Sequence, residues 1–217
     1  MSAAREEILG RIRRALVDVP PIAGPPSLEG LPRDYGRGGE RAPAALAALL
    51  CERIRDYAAE AERVPDEAQV AAAVRTACER MGIERLLCAP GVPGAWRPAG
   101  VMVEDDDGAA LAELDRVGGV LTGCGLAIAQ TGTLVLDAGP RSGRRALTLV
   151  PDRHICVVEA AQIVERVPQA IAALEPRVTG DRAPITLVSG SSATSDIELE
   201  RVEGVHGPRQ LLAIIVG

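Results

Sequence analysis

The sequence predicts an α/β fold, and three features carry that expectation. Short apolar runs of strand character are separated by helical patterns through the middle of the chain. Runs such as "RLLCAP" and "GGVLTG" are apolar at successive positions, as in a sheet covered on both faces. Near the centre, "TLVLDAG", "RALTLVP" and "HICVVE" follow one another with only turns between them, which predicts hairpins or an antiparallel strand insertion that makes the sheet mixed. With 217 residues the chain is long enough to bury a large core without disulfides or metals.

The elements follow in order. "REEILGRIRRAL" places Ile8, Leu9, Ile12 and Leu16 at helical spacing, giving an amphipathic helix whose apolar stripe needs a partner. From Val19 to Pro43, Pro and Gly recur too often for regular structure, and the stretch reads as an extended linker. Two regions result: 1–43, a helix with its linker, and 44–217, an α/β domain. Within the second, "AALAALLCERIRDYAAEA" reads as one helix and "DEAQVAAAVRTACERMG" as another, capped by Asp66 and stopped by Gly82. "RLLCAP" and "GVMVED" are strands, "DGAALAELD" a short helix and "GGVLTG" a strand. "AAQIVERVPQAIAALEP" reads as a helix interrupted at Pro168, followed by the strands "ITLVSG" and "QLLAIIV".

Composition removes several function classes. All 24 basic residues are Arg, so no Schiff base, pyridoxal phosphate anchor or P-loop lysine can form. A net charge of −6, one Trp and two Tyr argue against a nucleic-acid surface. Cys51, Cys78, Cys88, Cys124 and Cys156 are far apart and lack any C-x-x-C, so no metal or iron–sulfur site is expected in this chain, nor a cofactor of its own. No apolar run approaches a membrane span, and the charged N-terminus is unlike a signal peptide, which makes the expected location cytoplasmic.

Two polar stretches stand out from this apolar background. In "GCGLAIAQTGTLVLDAG", Gly132 between Thr131 and Thr133 suits either a tight turn or close ligand approach. In "TLVSGSSATSDIELERVEGVHGPR", the residues Ser189, Gly190, Ser191, Ser192, Thr194, Ser195 and Asp196 follow a strand and lead into "SDIELERV", a predicted helix. Such an entry presents free N–H groups to an anion, although Ser195 and Asp196 also serve as plain helix caps. His206 lies between Gly204 and Gly207 with Arg209 close behind, a loop setting that makes His206 and Asp196 the candidate catalytic groups. His154, at the start of an apolar strand, reads at least as well as a structural histidine. The expectation is one cleft in which Gln130, Thr131, Gly132 and Thr133 face Ser189–Asp196, with His206, Gly207 and Arg209 on the rim, holding a small carboxylate or phosphate.

Taken together, "EEILGRIRRAL", "AQTGTLVLDAGPRSGRRALTLVPDRHICVV", "SGSSATSDIELERVEGVHGPR" and "LLAIIV" resemble the LutC/YkgG family of LUD-domain (DUF162) proteins, most strongly from Gly118 onward. The resemblance implies a three-layer fold of the NagB/RpiA/CoA-transferase-like type. It also implies a role in oxidising L-lactate to pyruvate beside iron–sulfur partner subunits. Three positions depart from the family pattern. Gln130 stands where the family usually has Glu, Ser191 replaces its Pro, and Ala193 replaces its Arg. The first change removes a candidate nucleophile or base, and the last an anion-binding fork. Two other readings stay open: a free-standing enzyme of the same superfold (sugar-phosphate isomerase, CoA-transferase-like or formyltetrahydrofolate cyclo-ligase-like), and a non-catalytic assembly module.

Overall fold

A computed structural model describes residues 3–19, 29–32, 36, 38–194, 202–203 and 207–217. Two compact units are present, 1–35 and 36–217. The first contains α1 (Ala3–Ala15), an Arg-rich helix with no buried residue, whose Ile8, Ile12 and Leu16 are all exposed.

The second unit begins with α2 (Pro43–Asp56), β1 (Glu60–Val64), α3 (Val70–Met81), β2 (Arg85–Cys88), β3 (Met102–Asp105), α4 (Leu111–Leu114) and β4 (Gly119–Gly123). It continues with β5 (Leu126–Ile128), β6 (Thr133–Leu136), α5 (Arg145–Leu149), β7 (Arg153–Glu159), β8 (Ile163–Val164) and α6 (Val167–Thr179). It ends with β9 (Thr186–Val188), β10 (Ala193–Thr194), β11 (Val202–Glu203) and β12 (Gln210–Val216).

Six strands form the main sheet in the order β1-β12-β7-β4-β2-β3, and every pairing in it is parallel. The side-chain period of two sorts its residues cleanly between the two faces. Leu212 and Ile214 of β12, with Ile155 and Val157 of β7, join Val70, Val74, Ala77 and Met81 of α3 in one core. Their neighbours Leu211, Ala213, Ile215, Cys156 and Val158 enter a second core with Leu50 and Ile54 of α2. Burial on both faces is why these strands are apolar throughout rather than alternating.

The antiparallel strands do not enter this sheet, which corrects the expected mixed sheet. They form a separate sheet, β8-β5-β6-β9, in which β5 and β9 each run antiparallel to β6. The reason is that β4 pairs directly with β7, leaving no edge between them for a hairpin. The hairpin instead buries both of its own faces: Ala127, Leu134 and Leu136 join the α2 core, while Leu126, Ile128 and Val135 pack with Ala170 and Leu174 of α6.

Other local expectations also change. "RALTL" is the helix α5, which buries Leu147 and Thr148 and leaves Leu149 exposed. Pro168 lies in the first turn of α6, where its missing N–H is harmless, and the residues ahead of it form a 3-10 turn and β8. The first long helix ends at Asp56, Ala58 adopts φ 57°, and Glu60–Val64 departs as an edge strand beside β12. Asp66 precedes a 3-10 turn, without a side-chain capping bond, and α3 starts at Val70. Gly82 does stop α3, with φ 64° and its N–H directed to Cys78 and Glu79 carbonyls. Val202, expected in a helix, lies in the strand β11; residues 195–201, and with them the rest of that helix, lie outside the described residues. No helix among the described residues is long and apolar enough to cross a membrane.

The segment entering α2 is tied down by one carboxylate. Buried Glu165 accepts hydrogen bonds from the backbone N–H of Glu40 (2.9 Å) and Arg41 (3.1 Å) and from Arg41 Nη1 (2.7 Å). The Arg41 backbone N–H, more than any other group, holds its pKa below the usual glutamate range. A carboxylate with a depressed folded pKa contributes stability at neutral pH that is lost as pH falls from the unfolded value through the folded one. Glu165→Gln is therefore expected to lower the melting temperature at pH 7 and to flatten its decline below about pH 4.5, the ordinary glutamate value, in a pH series of thermal melts.

Candidate functional site

The "QTGT" turn closes the β5–β6 hairpin, and the "SGSS" segment leaves the end of β9. Both are shaped by the last turn of α2. Gly132 has φ 61°, and a Cβ there would lie 2.6 Å from the Arg53 carbonyl carbon. Gly190 has φ 90°, and its Cβ would lie 2.4 Å from Tyr57 Cβ and 2.5 Å from Tyr57 O. Ser191 Oγ donates to the carbonyl of Ala58 at 3.2 Å. Both glycines are thus required by helix packing, whatever else approaches them.

That packing brings the two segments together. Thr131 Oγ1 lies 2.7 Å from Thr133 Oγ1, which lies 2.7 Å from Ser189 Oγ, a chain of three hydroxyls. Among the described residues no histidine or carboxylate hydrogen-bonds Ser189, so nothing there activates it as a nucleophile. Gln130 is exposed, and its backbone N–H donates to the Glu165 carbonyl at 3.0 Å.

Cavities lie on both sides of Ser189. One, of about 290 Å³, is apolar, walled by Ile128, Val167, Ile171 and Leu187 with Thr131 and Thr133 at its edge. The other, of about 260 Å³, is lined by Ser189, Gly190, Ser191, Ser192 and Gly207, with Arg145, Thr148 and His154. Ser192 N–H donates to the Pro208 carbonyl at 2.9 Å, which stitches this loop to the start of β12. Thr194 belongs to β10, opposite Val202 of β11. Ser195, Asp196 and His206 lie outside the described residues. Arg209 is exposed, and its Nε donates to Asp152 Oδ1 at 2.5 Å. It lines a neighbouring basin that meets the second cavity at Gly207 and Arg145.

Two groups of this cavity were not assigned to a site from the sequence. His154 is buried, with Nε2 2.7 Å from Thr122 Oγ1. Burial pushes its pKa down to about 4, so the ring is neutral at physiological pH and offers hydrogen bonding rather than charge. Arg145, on α5, supplies the cation; the strand reading of "RALTLVP" hid it, although the paired arginines of "GRRAL" were a visible signal.

The rest of the long motif has a different task. Asp137 accepts from Ser142 Oγ (2.8 Å) and Gly139 N–H (3.1 Å), forming a compact turn. The carbonyls of Pro140 and Arg141 then receive the N–H groups of Gly91 and Gly123, each at 2.8 Å. Arg141 also pairs with Glu159 and lies 5.3 Å from the Trp96 ring centre, and Arg144 forks onto buried Asp106. All five cysteines are free and buried, and burial pushes the Cys78 and Cys88 thiols up to about 11, which keeps those two protonated at neutral pH. Among the described residues no group of three or more His, Cys, Asp or Glu is placed to hold a metal.

The LUD domain profile matches residues 44–216. Lactate utilization protein C of Deinococcus radiodurans is 42% identical over 216 residues, 99% of this chain and 96% of that protein. An Escherichia coli K12 protein called uncharacterized protein YkgG is 33% identical over 144 residues, 65% of this chain and 59% of its own length. The crystal structure of a DUF162 family protein from Deinococcus radiodurans superimposes with a TM-score of 0.70 at 36% identity, covering 82% of this chain and all of that one.

Two measurements separate packing from ligand roles. Gly132→Ala is expected to destabilise the protein by about 1–3 kcal/mol in urea unfolding, because the added methyl strikes helix backbone; unchanged stability with lost ligand binding would assign the glycine to the ligand instead. A buried histidine with a lowered folded pKa draws stability down as pH falls from its unfolded value of 6.5 to about 4. His154→Gln should remove roughly 3 kcal/mol of that pH dependence across the same window, read from denaturant melts at each pH.

Proposed function

The chain belongs to the LUD-domain family, and on that premise we propose that it is a subunit of a system oxidising L-lactate to pyruvate. In this reading it holds a small carboxylate or phosphate and docks iron–sulfur partner subunits that carry the electrons. The observation that carries it is the identity of 42% with lactate utilization protein C along 99% of this chain. The thiols of this chain are scattered and buried, which agrees with assigning electron carriers to the partners. The NagB/RpiA/CoA-transferase-like superfold belongs to the same reading, supported by the parallel sheet with its separate hairpin sheet.

The cavity beneath Ser189–Ser192 suits a small hydroxy or oxo acid. Its volume of about 260 Å³ exceeds what such a molecule needs by a few waters. Hydroxyls and the neutral His154 meet the ligand's oxygens, and Arg145 offers a fork for its carboxylate. Arg145 takes the part expected of Arg209, whose guanidinium is held by Asp152 in the adjoining basin.

Deleting the gene in its host should abolish growth on L-lactate as sole carbon source, the wild-type gene should restore it, and the tagged chain should co-purify with iron–sulfur proteins. In binding assays Arg145→Ala should weaken L-lactate or pyruvate binding by about 1.5–3 kcal/mol, the range for a hydrogen bond to a charged group. Undiminished growth on lactate together with an absence of iron–sulfur proteins in the purified complex would refute the reading.

A further inference from the structure

The parallel strands β4, β7 and β12 begin side by side, and the residues leading into them enclose an open basin of about 740 Å³. Its charged lining is Arg116, Arg145, Arg153 and Arg209 against Asp115 and Asp152. The chain as a whole carries a net charge of −6, so this basin opposes the sign of the protein around it. Asp152 is committed to Arg209, and among the described residues neither Arg116 nor Arg145 has a carboxylate partner.

Arg153 gives the more pointed observation. It is half-buried, its Nη1 donates to the Gly118 carbonyl at 3.2 Å, and its Nε is buried with no hydrogen-bond partner among the described residues. A buried guanidinium N–H left unpaired is costly, a state Arg153 shares with Arg97 and Arg166, and at the basin an ion or ligand that reached it would relieve that cost.

We propose that this basin binds a ligand carrying two linked phosphates. Three guanidinium groups reach it from separate elements: Arg116 ahead of β4, Arg145 on α5 and Arg153 at the start of β7. A single carboxylate offers two oxygens, enough for one fork, whereas a diphosphate offers enough acceptors for all three. The volume falls in the range of small-ligand sites, roughly 300–1,000 Å³, and Leu149 and Val150 give an apolar wall for whatever the phosphates are attached to. The proposal goes beyond the lactate reading and does not depend on it. Of the basin's arginines only Arg145 also lines the smaller cavity, so the test rests on Arg116 and Arg153.

Titration calorimetry of the full chain with sodium pyrophosphate, ADP and orthophosphate, at matched ionic strength, tests this. Pyrophosphate is expected to bind at least tenfold more tightly than orthophosphate, and Arg116→Ala and Arg153→Gln should each weaken it at least fivefold. ADP binding more tightly than pyrophosphate would identify a nucleotide as the source of the phosphates, and equal binding a free diphosphate. Should Arg153→Gln fail to fold, the exposed charge reversal Arg116→Glu decides the matter. Pyrophosphate and ADP binding no better than orthophosphate, or binding indifferent to the Arg116 variants, overturns the proposal. So does capture of an acidic peptide in their place, which would make the basin a protein interface.

Discussion

The end of helix α2 pressed against two glycine turns is the contact on which the candidate site depends. At Gly132 and Gly190 the chain meets the backbone of Arg53 and Tyr57 at distances that leave no room for a side chain. Both glycines use positive φ, so the turns carry the chain over the helix end and out again without strain. The approach sets Thr133 and Ser189 within hydrogen-bond distance, though they are 56 residues apart. Glu165 reinforces it from the other side, since its carboxylate fixes the entry to α2 while its carbonyl receives the Gln130 N–H. Small and polar residues recur here because a helix end and two turns must share one space.

The two ends of the parallel sheet are treated differently. In open α/β sheets ligands commonly bind beyond the carboxyl ends of the strands. Here the loop following β6 seals that edge, with its carbonyls capping Gly91 and Gly123 and its arginines paired to Glu159 and Asp106. The adjacent Arg97–Asp105 pair extends the same closure to the edge strand β3. At the amino ends, Arg116 and Arg145 remain without carboxylate partners among the described residues, and His154 stays uncharged between β4 and β12. Charge that is neutralised at one edge is left available at the other.

A chain without lysine also constrains how anions can be met. Every cation is a planar fork of fixed geometry, which favours carboxylates and phosphates and, once paired, is hard to redirect. Arg209 illustrates the point: its sequence position beside the Gly-rich loop is suggestive, yet Asp152 claims its Nε. Arg145 is less conspicuous in the sequence and faces both cavities.

By itself the sequence determined the α/β class, the apolar strands β7 and β12, the stop of α3 at Gly82 and the polar character of the two motifs. Each of these follows from local periodicity, a left-handed glycine or side-chain chemistry, and none needs a distant partner. Tertiary structure alone decided that "RALTL" is helical, that the hairpin forms its own sheet and that β1 departs from the end of α2. A short apolar run satisfies either a helix or a strand, and the choice falls to whichever surface is available to bury it. The same holds for function. Sequence named Thr131, Gly132, Thr133 and Ser189–Ser192 as one polar set, but which arginine is free and which is paired is a matter of distances across the fold, and those are set only when β4, β7 and β12 lie side by side.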